Sequence, residues 1–279
     1  MLQITKQCLV ILSVSALLFS CNGSKNEDNE IADNNDSIPE SVAIDSTRIS
    51  AQNVFNSIPG RAEIVALAAE AKSEYNFNIL SNPDDVNKYT VESSKALNLG
   101  AYGSDLSTAG VYEQTQESMV YLKCVNILAK QLGVSSAFDE KMVDRMEANK
   151  ENRDSTLEII TQSFKNADNF LKANGRPGTS SLIVAGGWIE GMYIACNTAK
   201  ETKNENVIKT IFKQKESLRN LIDLLEKSKV SADAGYVTVG LKEIKTLLDA
   251  KNDNVYTLDS IKDIFAKTEA LRKKIVAPN

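Results

Sequence analysis

The chain has 279 residues, 42% apolar and 25% charged, which is the balance of a globular protein and not of a collagen-like or low-complexity one. It contains no His, which excludes a Ser-His-Asp triad, a Cys-His pair, a His-ligated zinc or iron site and an imidazole proton shuttle. Its net charge of −5 comes entirely from one N-terminal segment, so no basic excess points to nucleic acid.

The first twenty residues carry one charge, Lys6, and then a run of twelve from Cys8 to Phe19 that is apolar except for Ser13 and Ser15. That run is too short to cross a bilayer as a helix but suits the apolar region of a secretory signal. Leu18-Phe19-Ser20-Cys21 follows directly. It resembles the lipobox of bacterial lipoproteins, although Phe19 is bulkier than the usual residue there. The resemblance implies that residues 1–20 are removed and that Cys21 is lipidated as the new N-terminus. Several acyl chains would anchor the protein where one would not, because each buried CH₂ adds about 0.8 kcal/mol. A plain cleaved signal followed by an incidental Cys is the other reading.

Residues 21–46 read as a tether. They hold seven acids against one base, Lys25, with no aromatic residue, and cannot bury enough surface to order themselves. A flexible chain of this length reaches about 25–30 Å, and self-repulsion extends it. With the signal and tether set aside, acids and bases are equal in number from Thr47 onward. An acidic tether should not adhere to anionic lipid, so it holds the body away from the membrane. The acid-rich stretch Ser24–Glu30 resembles export signals of surface lipoproteins in Bacteroidetes-type bacteria. Asn22, rather than Asp, after Cys21 fits outer-membrane delivery, with the body facing either the periplasm or the cell surface.

The rest, residues 47–279, is expected to be one all-α domain of packed antiparallel helices, because apolar residues recur with the helical period and few stretches alternate as strands do. Helices are predicted over 47–58, 61–75, 83–104, 107–132, 137–173, 179–201, 205–228, 234–250 and 257–275. Stripes such as Leu157, Ile160, Phe164, Ala167 and Leu171, or Ile261, Ile264, Leu271 and Ile275, define their buried faces. Gly133 and Gly175 suit positions just past a helix end, and Thr257 and Ser136 suit N-caps. Two bundles sharing a long helix would also fit. An α-solenoid is the alternative, though no fixed-period repeat supports it.

Two segments stand apart. Leu182–Cys196 has one charge in fifteen residues, Glu190, and reads as a central helix in which Gly187 and Gly191 admit a neighbouring backbone. Ala96–Tyr112 has one charge in seventeen, Asp105, with glycines at 100, 103 and 110 that weaken a helix by about 1 kcal/mol each. Glycine there implies close packing, a kink or a ligand near the backbone. The strings Asn98–Leu106 (NLGAYGSDL) and Gly186–Gly191 (GGWIEG) resemble strings in outer-membrane or surface lipoproteins of Bacteroidetes-type bacteria, a resemblance that implies no activity.

A carboxylate at Glu190 would be shut away from water, so it must be neutral or paired. Arg153, in a row that runs back from Leu157 through Asn149 to Met146 and Met142, is one candidate counter-ion, and Lys123 is another. Tyr102, Asp105, Lys123, Arg153, Trp188 and Glu190 are therefore expected in one polar layer. That layer is either a small ligand site or a core ion pair that sets helix register. Trp188 alone reads as core rather than as a sugar platform. Cys124 and Cys196 either form a disulfide, as an exported chain allows, or stand as free buried thiols. Gly235–Lys242 only nearly spells a phosphate loop, no calcium-loop spacing is present, and Asn252–Asn254 reads as a solvated turn. No cofactor or metal is expected.

Together these features predict a lipid-anchored, non-enzymatic envelope protein that binds a protein partner or small ligand, or is structural. The alternative is a metal-free hydrolase or lyase using Asp105 and Glu190 as acid and base.

Overall fold

The computed structural model describes residues 73–149, 152–251 and 255–278. The signal, Cys21, the tether, the predicted helix over 47–58, most of that over 61–75 and Asn252–Asn254 lie outside them. Among the described residues there is no strand, and the architecture is all-α.

Among the described residues eight α-helices appear in order: α1 Glu92–Val111, α2 Thr115–Gln131, α3 Glu140–Ala148, α4 Arg153–Ala173, α5 Pro177–Thr202, α6 Glu205–Lys227, α7 Gly235–Asp249 and α8 Leu258–Val276. The two poorly charged segments form the middle. α1 is buried except at Glu92, Lys95 and Gly110, and it packs against α5 more extensively than any other pair packs. An apolar girth of this kind has no solvent face to offer, so neighbours must surround it. Around this pair stand α2 on the α1 side, α4 against both, and α6 and α8 on the α5 side, with α7 laid against α6 and α8. A solenoid is excluded, because its repeats touch only their chain neighbours, whereas α1 and α5 are separated by three helices.

The crossing of α1 and α5 is set by glycine. A Cβ on Gly100 would stand 2.0 Å from the Ile183 carbonyl oxygen, and one on Gly186 would stand 1.9 Å from that of Leu97. Close approach therefore uses Gly186 and Gly100. Gly191, expected to serve it, faces open space.

Several predicted ends hold. Gly133 and Gly175 lie at φ 72° and 70°, the left-handed conformation that ends α2 and α4. Thr257 caps α8, its side chain accepting from the Ser260 N–H while the Ser260 hydroxyl accepts from the Thr257 N–H. Three boundaries differ. Residues 83–85 form only a 3₁₀ turn, because Val86 and Tyr89 turn into the core and α1 begins at Glu92. The break expected near residue 105 falls at 112–114, where Glu113 takes φ 56°. Inside α1, the Ser107 and Thr108 hydroxyls donate to the carbonyls of Gly103 and Ser104, at 2.8 and 2.9 Å, so these polar residues are satisfied within the helix. The long helix expected over 137–173 is two helices. Asp139, not Ser136, caps α3 by accepting from the Met142 N–H, and Asn152 caps α4 by accepting from that of Ser155.

Candidate functional site: a buried carboxylate–guanidinium centre

Residues 73–90 reach α1 with no α-helix of their own, holding two 3₁₀ turns, Phe77–Ile79 and Pro83–Asp85. They lie as a strap over the middle of the molecule, with Leu80, Ser81, Val86 and Tyr89 buried. Beneath the strap sit the two carboxyl groups singled out by the sequence. Asp105 on α1 is 0% exposed and Glu190 on α5 is 1% exposed.

The counter-ion of Glu190 is Arg272, on α8. Its Nε donates to Oε2 at 2.7 Å and its Nη2 donates to Oε1 at 2.8 Å, a two-point grip that a planar fork makes and an ammonium does not. Nη2 also donates to the Ile79 carbonyl at 3.1 Å and to Ser81 Oγ at 3.4 Å. The guanidinium lies 4.3 Å from the centre of the Tyr193 ring. Burial alone would lower the Arg272 pKa. The charge and hydrogen bonds of Glu190, with a smaller contribution from Asp105, outweigh burial and push it up.

Asp105 is held differently. Its Oδ2 accepts from the Ser81 N–H at 3.2 Å, while its Oδ1 is buried with no hydrogen-bond partner among the described residues. Burial first, then the negative field of Glu190, push its carboxyl group well above the usual carboxylate range, against the opposing pull of Arg272 and Ser81. Three tyrosines surround it. Tyr102 donates to the Asn82 carbonyl at 2.7 Å, Tyr121 donates to that of Ser81 at 3.2 Å, and Tyr75 has a buried Oη with no partner among the described residues. Burial raises the pKa of all three phenols.

Of the six residues predicted for one layer, Tyr102, Asp105 and Glu190 are brought together here. Trp188 is not. Buried two residues before Glu190 on α5, it points the other way, and its Nε1 donates to Ser217 Oγ on α6 at 3.1 Å, a core role. Lys123 is exposed on α2, where it lines a surface hollow of about 290 Å³ with Met119, Asn126 and Val143. Arg153 is the first residue of α4, half-exposed and 3.6 Å from Asp154. Neither is a counter-ion, because their helices turn those positions to solvent. Sequence reasoning missed Arg272, Ser81 and Tyr121. The signal for Arg272 was present: it continues the row Ile264, Thr268 at the same spacing, on a helix whose stripe is buried.

Cys124 and Cys196 are both free and buried, so the disulfide reading falls. Cys124 Sγ lies 3.9 Å from the Pro83 carbonyl, and Cys196 is enclosed in α5. Burial raises the two thiols to about 11 and about 12. Among the described residues, no group of three or more His, Cys, Asp or Glu could hold a metal ion, and no helix is long and apolar enough to cross a membrane. No family model, curated protein or solved structure matches the chain.

The arrangement can hold three helices and a strap in register, and it can hold a proton. An acid/base pair working on a glycoside needs its carboxyls at an open cleft within about 10 Å of each other. Here both are sealed, and one is bound at both oxygens by Arg272.

Proposed function

We propose that this chain is a lipid-anchored helical protein of a bacterial outer membrane that acts by binding a partner or ligand, or as a structural part of the envelope. The observation that carries the non-enzymatic half is the two-point grip of Arg272 on Glu190, which leaves neither oxygen of that carboxylate free for acid or base work. The all-helical body, the tether with its seven acids and the lipobox-like Leu18–Cys21 support the anchored half. Physically, the tether sets how far from the membrane the body works, and the neutral body carries no charge bias toward lipid.

Metabolic labelling with a radioactive or clickable fatty acid tests the anchor. The wild-type chain should take up label, leave the processing pathway when globomycin is added, and lose label on Cys21→Ser. Normal maturation and membrane retention of the Cys21→Ser variant would refute it. A hydrolytic or lyase activity abolished by both Asp105→Asn and Glu190→Gln, in variants that fold normally, would refute the non-enzymatic half.

A further inference from the structure

Four of the bonds that hold the strap converge on the buried centre. The Ser81 N–H donates to Asp105 Oδ2, and the carbonyls of Ile79, Ser81 and Asn82 accept from Arg272, Tyr121 and Tyr102 at 3.1, 3.2 and 2.7 Å. With no α-helix between Ser73 and Thr90, this segment relies on those bonds, on its two 3₁₀ turns, on the bond from the Tyr89 hydroxyl to the Val276 carbonyl and on the burial of Leu80, Val86 and Tyr89. Segments with few local hydrogen bonds are the first to open.

The groups that face Asp105 are Glu190 from α5, Arg272 from α8, Tyr102 from its own helix, Tyr121 and Cys124 from α2, and Tyr75 and Tyr89 from the strap. Arg272 is the one cation in this set, and its Nε and Nη2 already hold Glu190. An ionised Asp105 would be a second buried anion beside Glu190, with Ser81 and the shared charge of Arg272 to stabilise it. A neutral Asp105 makes Oδ1–H a donor, in a place where, among the described residues, Oδ1 has no donor to accept from and the Tyr75 Oη has no partner.

We propose that the proton on Asp105 is a latch: while it is in place the strap over residues 73–90 closes the Glu190–Arg272 centre, and when it passes to solvent base the strap lifts and the centre becomes accessible. The charge created on deprotonation is relieved by water entering beneath Ser81. The packing of α1 on α5 through Gly100 and Gly186 does not run through the bonds that are lost, although α1 supplies two of their side chains, Asp105 and Tyr102. The device is independent of the anchor and works in a soluble or a membrane-bound body alike.

Hydrogen–deuterium exchange of the full-length protein from about pH 5 to about pH 10, corrected for the intrinsic pH dependence of exchange, tests it. Protection at Leu80, Ser81 and Val86 should fall about tenfold or more through a single-proton midpoint, the equivalent of about 1.4 kcal/mol. Amides in the middle of α1 and α5 should stay protected. The ¹³C signal of the Asp105 carboxyl should titrate with the same midpoint, above the ordinary carboxylate range. Asp105→Asn should hold the strap closed at every pH. Strap protection that ignores pH in the wild type, a carboxyl signal that titrates in the ordinary range, or a folded Asp105→Asn protein whose strap is open throughout would each overturn the proposal. Should Asp105→Asn not fold, the wild-type exchange and carboxyl titration decide alone.

Discussion

Cutting Glu190 back to Ala leaves the Arg272 guanidinium 11% exposed with two of its donors unmatched. Breaking a buried pair from one side costs about 3–5 kcal/mol, because the remaining charge stays desolvated. A domain of this size shifts its melting temperature by roughly 2–4 °C per kcal/mol, so Glu190→Ala should melt about 6–20 °C lower. Glu190→Gln keeps the shape and one acceptor and loses one charge-assisted bond, for about 1.5–3 kcal/mol. The double variant Glu190→Leu with Arg272→Met removes both charges and refills the space with apolar atoms. The exchange of the pair itself is neutral or favourable by about 1–4 kcal/mol. Against that, the Ile79 carbonyl loses its donor, at about 1–3 kcal/mol. The double variant should therefore lie close to wild type, far above the sum of the single losses. Calorimetric melting and urea titration of the four proteins complete the cycle. Equal and small losses in both Glu190 variants, or a double loss equal to the summed singles, would refute the pairing.

The glycines make a matched test. Gly100→Ala and Gly186→Ala force a methyl group into a carbonyl on a facing helix and should destabilise by more than about 4 kcal/mol or prevent folding, whereas Gly191→Ala meets nothing within 4 Å and should stabilise by about 0.5–1 kcal/mol, as circular dichroism melts will report. Two carboxylates should give opposite pH slopes. Asp105, raised in the folded state, contributes stability that is complete below its unfolded pKa and is lost as pH climbs toward its folded value, so Asp105→Asn gains on wild type as pH rises in urea titrations. Glu92 is held below the usual range by hydrogen bonds from Thr179 and Arg176, so its contribution exists above its unfolded pKa and fades on acidification, and Glu92→Gln should cost less at low pH than at neutral pH. Both body thiols should react with an aromatic disulfide reagent only after unfolding, and the mobility of the native chain should be the same with or without reductant.

Much of the helical order could be read from the sequence because α4, α6 and α8 are amphipathic, and a stripe of Leu and Ile at helical spacing has few other folded uses. The central pair was readable for the opposite reason: a long segment with one charge cannot show any face to water. The break at 112–114, which holds no glycine, was not readable, whereas that at Lys203-Asn204, also without one, was. Tyr112-Glu-Gln114 contains no conventional stop, and α1 ends there because Glu113 adopts a left-handed conformation in the turn toward α2. Asn82-Pro-Asp-Asp85 has the cap, proline and acids of a helix start, and it does start one turn, with the Asn82 side chain accepting from the Asp84 N–H. Burial of Val86 and Tyr89 then draws the chain away from the helical path, a tertiary effect that no local signal encodes.

The candidate site divides along the same line. That Glu190 is shut away from water followed from its neighbours on one helix, since Gly186, Gly187 and Ile194 leave it no solvent face. Its partner lies 82 residues away, and the criterion that nominated Arg153, an Arg in an apolar row, applied equally to Arg272. Only packing separates them. Arg153 begins its helix, where the first turn projects past the core, while Arg272 sits between Thr268 and Ile275 in the last turns of α8, against the middle of α5. Position within the helix, as well as phase around it, decides whether a long cation reaches the core. That rule explains why Lys123, in mid-helix but facing outward, and Arg153, nearer the right phase but at an end, both fail. It also explains why the strap could not be foreseen: Ser81 and Ile79 contribute backbone groups, which every residue carries, so no residue type marks them in advance.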